Sequence, residues 1–274
     1  MNMRMLPKIP TGQSVQSKIH PLRALFAREF RAALINRYFQ ILCVLGLIGG
    51  IASAIFGEDA AAIGVFYLQI ALYFVSLFAL LAGIGSAQTE RDEWQLLFSN
   101  PFPRSIYVIG KFVTLLSIFA GVLVLFFVPA LFVAASATLL WLYLQTLLLT
   151  GAFLAIGLAA GYWAHDRAQG LIVGVSAWLL LLCGIDLLAL FAARWSTIQE
   201  FPDLWVTLLM VNPLDSFRID TLFALQQIPP EAANKTPLAN WWITHARGWF
   251  AIIAITWSVG FVSLASFRLN RWEE

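Results

Sequence analysis

Residues 170–193 read GLIVGVSAWLLLLCGIDLLALFAA, twenty-four positions with a single charge, Asp186. A helix of about 20 apolar residues crosses the roughly 30 Å of bilayer hydrocarbon, so this run is long enough to span. A charge deep in such a helix costs roughly 2.5–3.5 kcal/mol on insertion scales, and it is expected to face a protein interior or a water-filled path. Arg194 and Arg218 are the candidate ion-pair partners of Asp186, and structural pairing is preferred over direct contact with a cargo. The rest of the chain is built the same way. With 60% hydrophobic residues, 12% charged residues and a mean hydropathy of +0.80, it lies outside the soluble globular range.

Six spans are expected, at 38–56, 63–86, 112–133, 139–163, 170–193 and 249–267, giving an all-α polytopic bundle. Tyr38, Trp141, Trp163, Trp195 and Trp249 stand near span ends, where amphipathic rings favour the interface. Gly46, Gly49, Gly50 and Ser53 in the first span, and Gly151, Gly157 and Gly161 in the fourth, predict close helix–helix approach. Cys43 and Cys183 are too far apart to read as a disulfide framework or a metal-ligand spacing, and both are expected in the core. Orientation follows from the basic residues. With the N-terminus cytoplasmic, 13 of the 17 Lys and Arg fall on the cytoplasmic side; the other four, Arg194, Arg218, Lys235 and Arg247, fall in one long outer connection. That asymmetry places both termini inside.

Three segments lie outside the spans. Residues 1–21 are polar, with Pro7, Pro10 and Gly12, and read as a flexible cytoplasmic tail. Residues 22–37 read as an amphipathic helix in the membrane plane. Leu22, Leu25, Phe26, Phe30 and Ala33 share one face, Arg28 and Arg31 lie opposite, and Glu29 and Arg37 blur the apolar edge. Residues 195–248 form an external segment whose apolar stretch 204–211 is too short to span, and is either a re-entrant turn or a cap. Next comes Asn212-Pro213, a turn-initiating pair. A helix starting there puts Asp215 in its first turn, favoured by the helix dipole, with Arg218 three positions on. This unit is expected to stiffen the outer end of the bundle.

Chemistry within this chain is not expected. Gly110-Lys111-Phe112 lacks the upstream glycine and the hydroxyl residue of a phosphate-binding loop, so the chain is no ATPase by itself. His20, His165 and His245 all fall in tails or connections, leaving no histidine at membrane depth. Met1, Met3 and Met5 are in the tail and only Met210 is external, so no soft-metal relay is expected. No cofactor or metal is expected on this chain, and no nucleic-acid partner; its surroundings are the lipid bilayer.

The loop between the second and third spans is more specific. It runs Glu90-Arg91-Asp92-Glu93-Trp94-Gln95-Leu96-Leu97-Phe98-Ser99-Asn100-Pro101-Phe102-Pro103-Arg104 and closes at Gly110-Lys111. An acidic cluster, a leucine-rich turn, a Pro-x-x-Arg step and a Gly-Lys pair at that spacing resemble the permease subunits of ABC-2-type transporters. Asp92-Glu93 stands where that family commonly has Gly-Thr. Ala177-Trp178 with Gly184-Ile185-Asp186-Leu187-Leu188, and Asn212-Pro213-Leu214-Asp215-Ser216-Phe217-Arg218-Ile219, resemble the NosY-type permeases of nitrous-oxide-reductase maturation. Phe217 replaces a tyrosine of that pattern. The resemblance extends from about residue 22 to the last span. It implies a homodimer in the bacterial inner membrane, a cytoplasmic ABC ATPase dimer that holds the ATP–Mg, and a periplasmic accessory protein serving assembly of a copper–sulfur centre. Glu90, Asp92, Glu93, Trp94, Pro101, Arg104, Gly110 and Lys111 would then couple to the ATPase, with Phe26, Arg28, Phe30 and Arg31 completing the docking surface. Permeases for haem, lipid-linked glycans or drugs, and a membrane scaffold without a transport path, are the alternatives.

Overall fold

The computed structural model describes residues 26–32, 35, 37–57, 59–89, 103–134, 136–192, 194, 202–228 and 237–271. The tail 1–21, together with Leu22, Leu25, Ala33, Glu90, Asp92, Glu93, Trp94 and Pro101, lies outside the described residues. Among the described residues all regular structure is helical, and six helices are long and apolar enough to cross a membrane. They are α1 (Arg37–Phe56), α2 (Ala60–Thr89), α3 (Arg104–Val133), α4 (Ala137–Trp163), α5 (Arg167–Leu188, continuing through Ala192) and, last in the chain, α8 (Pro237–Asn270). Two shorter helices, α6 (Pro202–Val211) and α7 (Pro213–Ala224), lie between α5 and α8.

Side-chain caps set several starts. Asp59 accepts from Ala62 N at 2.7 Å, Ser136 from Thr138 N at 3.1 Å, and Asp166 from Gln169 N at 2.7 Å, each satisfying a backbone donor of the first turn. At α7, Asn212 accepts from Leu214 N at 3.1 Å while Pro213 occupies the first turn, where no donor is missed. That helix ends on Gln226, whose φ of 58° is the left-handed conformation of a helix stop, with Gln227 N bonded to Leu222 O and Gln226 N to Phe223 O. The helices overrun the hydrocarbon-length runs in sequence. α3 starts eight residues before 112, and α8 begins at Pro237 instead of near 249, so the end of the 195–248 connection is continuous with the sixth span. Residues 238–248 contain no proline, and once a helix is nucleated it propagates through polar turns at its ends.

α4 is the centre of the bundle: 67% of its most apolar window is buried, against 17% for α5. α2 lies against α4 along a seam of small residues. A Cβ on Gly157 would come within 2.2 Å of Leu80 O, and one on Gly83 within 2.6 Å of Leu154 O, so only glycine permits this backbone approach. Gly50 does the same for α1 on α3, where a Cβ would lie 2.9 Å from Phe126 O. Beside it Tyr67 bonds Ser53 at 2.8 Å. The cysteines depart from expectation. Cys43 is half-buried and Cys183 is exposed on α5. A lipid-facing position is as apolar as a core position, so an apolar run does not distinguish the two.

Successive spans run in alternating directions. At one end Gln88 of α2 reaches Asp166 before α5 at 3.0 Å, Trp163 of α4 reaches Leu264 of α8 at 3.4 Å, and Arg104 of α3 reaches Leu269 of α8 at 3.1 Å. At the other end α6 and α7 pack on the start of α8 and the end of α5, where Trp249 donates to Met210 O at 2.9 Å and Trp257 to Val211 O at 3.1 Å.

Candidate functional site

Two polar nests, one at each end of the bundle, gather most of the described sequence-singled residues. The first lies where the helical segment 26–32 crosses the ends of α2, α3 and α4. Lys111 is fully buried: its Nζ lies 3.8 Å from Glu29 and donates to Ser86 O at 2.6 Å. Glu29, itself 6% exposed, also accepts from Arg28 at 3.2 Å and from Ser86 Oγ at 3.1 Å. Arg28 donates in addition to the Tyr107 hydroxyl at 3.0 Å. A buried ammonium with a carboxylate, a carbonyl and the Tyr107 ring at 5.9 Å is compensated on several sides, which makes such burial tolerable.

The placement changes the reading of several residues. Glu29, which blurs the apolar face of the 22–37 helix, is the residue that faces inward, whereas Phe26 and Phe30 stack at 6.2 Å on its exposed side. Arg31 is also exposed, and Arg28 bridges the two sides. Lys111 lies inside the bundle, removed from any surface a cytoplasmic protein could touch. Gly110 is half-buried beside it, and Arg104 donates to the last carbonyls of α8, Leu269 O at 3.1 Å and Asn270 O at 3.3 Å. The sequence signal for the Glu29–Lys111 pair is only the presence of each charge next to an apolar run.

The second nest joins α5 to α7. Asp186 lies six residues before Ala192, the last described residue of α5, and pairs with Arg218 at 3.2 Å. Arg218 also grips Asp215 one turn back, so one guanidinium bridges two carboxylates. Asn212 donates to Asp215 and, at 2.7 Å, to Leu181 O. Leu181 belongs to a π-helical turn, Leu180–Gly184, and such a turn leaves carbonyls without their ordinary i+4 partner. The Asn212 amide therefore caps a defect in α5 and locks α7 to it. A second π-helical turn, Ala71–Val75, interrupts α2, and just past it Ser76 Oγ accepts from Trp178 Nε1 of α5 at 2.9 Å.

Asp215 is buried, and Asp186 and Arg218 carry the exposed part of the network at 45% and 35%. Burial pushes the Asp215 carboxyl up to about 6 against the lowering pull of Arg218. Sequence reading missed Asp220, also buried, which accepts from Gln145 of α4. Burial raises this carboxyl to about 6 as well, with Arg247 opposing. Gln145, a lone amide in an apolar run, is the signal that could have pointed to a buried acceptor. Arg247 stacks 6.0 Å over Trp141 and, with Asp220, Trp241, His245 and Trp249, lines a 650 Å³ cavity.

The arrangement can bear force and exchange ion-pair partners. In comparisons with known proteins, no family model and no curated protein matches the chain.

Proposed function

We propose that this chain is the membrane permease subunit of an ABC-2-type transporter, driven by ATP hydrolysis in a separate cytoplasmic ATPase dimer. The reading rests on the motif between α2 and α3 and is supported by one observation: both flanks of that loop are anchored. On leaving the loop, Arg104 holds the end of α8, and Lys111 holds Glu29 of the N-terminal helical segment and Ser86 of α2. A push on residues 90–103 would therefore reach α2, α3, α8 and the N-terminal segment together, as coupling to an ATPase requires. The 13-to-4 distribution of basic residues supports a cytoplasmic side for this end and for both termini, in what the family reading makes a bacterial inner membrane.

The narrower reading is a NosY-type permease, acting as a homodimer with a periplasmic accessory protein in maturation of a copper–sulfur centre. Its support is that Asp186, Asn212, Asp215 and Arg218, the residues that carry that resemblance, form one network that ties α7 to α5. In this role the outer cap passes motion to a partner, and no bare metal ion need cross.

Affinity purification of the tagged chain from its native membranes tests the proposal. A co-purifying subunit with a phosphate-binding loop is expected, and reversal of Glu90, Asp92 and Glu93 to Lys should abolish its recovery while the chain remains inserted. Recovery of the unaltered chain without any ATP-binding subunit would refute the transporter reading and favour a scaffold.

A further inference from the structure

A cavity of about 710 Å³ opens at the Lys111 end of the bundle, between the N-terminal helical segment and α1, α2 and α5. Its polar lining includes three guanidiniums, Arg28, Arg37 and Arg167, and one acid, Glu29. Glu29 is already matched by Lys111, Arg28 and Ser86, so its charge does not oppose an anion. Arg37 and Arg167 are exposed and form no ion pair with a described residue. Each begins a span, at the level where α2 and α4 end on Thr89 and Trp163. Below them the walls are apolar. Ile41 and Leu171 lie four residues into α1 and α5, and Leu81 lies eight residues back from Thr89. At 1.5 Å per residue the cavity descends about 6–12 Å below its charged mouth.

We infer that this cavity binds an anionic phospholipid, with its phosphate held by Arg37 and Arg167 and its upper acyl chain against Ile41, Leu81 and Leu171. Planar guanidiniums take phosphate oxygens in bidentate fashion, and basic pockets between spans are where anionic headgroups bind. A soluble anion would satisfy the mouth and leave the apolar depth unfilled. A zwitterionic lipid would bring a cation beside Arg28. The inference depends on the membrane-spanning fold and not on the transporter reading.

The test uses the full chain purified in mild detergent, with bound lipid counted by native mass spectrometry after addition of phosphatidylglycerol or phosphatidylcholine. Phosphatidylglycerol should be retained, phosphatidylcholine should not, and millimolar inorganic phosphate should leave the retained lipid in place. Arg37→Gln with Arg167→Gln should weaken retention at least about tenfold, as loss of charge-assisted hydrogen bonds requires. Arg271→Gln, at the same end but outside the cavity lining, should leave it unchanged. Equal retention by the double variant, or equal retention of both lipids, overturns the inference. Displacement by inorganic phosphate would assign the mouth to a soluble anion, and a cross-linked dimer that excludes lipid would assign the cavity to a second copy of the chain. Either result also overturns it.

Discussion

Lys111 and Arg218 both bind carboxylates between helices, at opposite ends of one bundle, and differ in their access to water. The Lys111 ammonium is sealed, 0% exposed, with a carboxylate that is nearly so. Arg218 is 35% exposed and shared between a buried acid, Asp215, and an exposed one, Asp186. A sealed pair cannot trade partners without leaving a charge in a low-dielectric interior, so it acts as a brace. A half-open guanidinium can release one carboxylate to water and keep the other, so it suits a joint that moves. On the proposed reading, the end nearer the ATPase would be the braced one, and the outer end the one able to exchange partners.

The largest effect should come from opening the sealed pair. Lys111→Met leaves Glu29 buried with only Arg28 and Ser86 and should cost about 3 kcal/mol, the lower end of the range for broken buried pairs. Adding Glu29→Gln should restore most of that loss, as read by thermal unfolding in nanodiscs. If the single variant is as stable as the parent, the brace carries no energy and the contrast between the two ends collapses.

Acidification should affect the other end more modestly and with the opposite sign from the usual carboxylate. Asp215 and Asp220 have folded values near 6, above their ordinary 3.8. Their contribution is therefore fully present below about pH 3.8 and is lost as pH rises through 6. Asp215 faces Arg218, Asp186 and Asn212, and Asp220 faces Gln145 and Arg247; none of these neighbours reverses the sign. Unfolding between pH 7.5 and 5 should show stabilisation on the order of 1 kcal/mol per acid. Asp215→Asn and Asp220→Asn should each remove part of the rise. A flat or falling profile would mean that both acids ionise normally.

The smallest effect belongs to the exposed arm of the joint. Asp186→Asn should destabilise by less than about 1 kcal/mol, and a double-mutant cycle with Arg218→Gln should give a coupling energy equally small. A coupling above about 3 kcal/mol would make this end as sealed as the first and remove the distinction.

Much of the fold is legible in residue order. Runs of about 20 apolar residues have no soluble alternative, and the backbone must satisfy its own hydrogen bonds in lipid, so the number and helical nature of the spans follow from hydropathy. The close approach at Gly50 and Gly157 follows from residue size, and the start of α7 from the chemistry of Asn212-Pro213. The coupling motif is legible as a pattern, but its acids and Trp94 lie outside the described residues, and its Gly-Lys step has turned into the interior.

Sequence by itself determined that this chain is a six-span helical bundle with basic residues crowded toward one end, because length and transfer free energy are local properties. Tertiary structure alone decided that Lys111 meets Glu29, that Gln145 meets Asp220, that Arg218 rather than Arg194 holds Asp186, and that Cys183 faces outward. The reason is physical: lipid and protein interior are equally apolar, so hydropathy places a residue at a depth in the membrane but cannot assign its face. Only the packing of one helix on another selects which buried polar groups find partners.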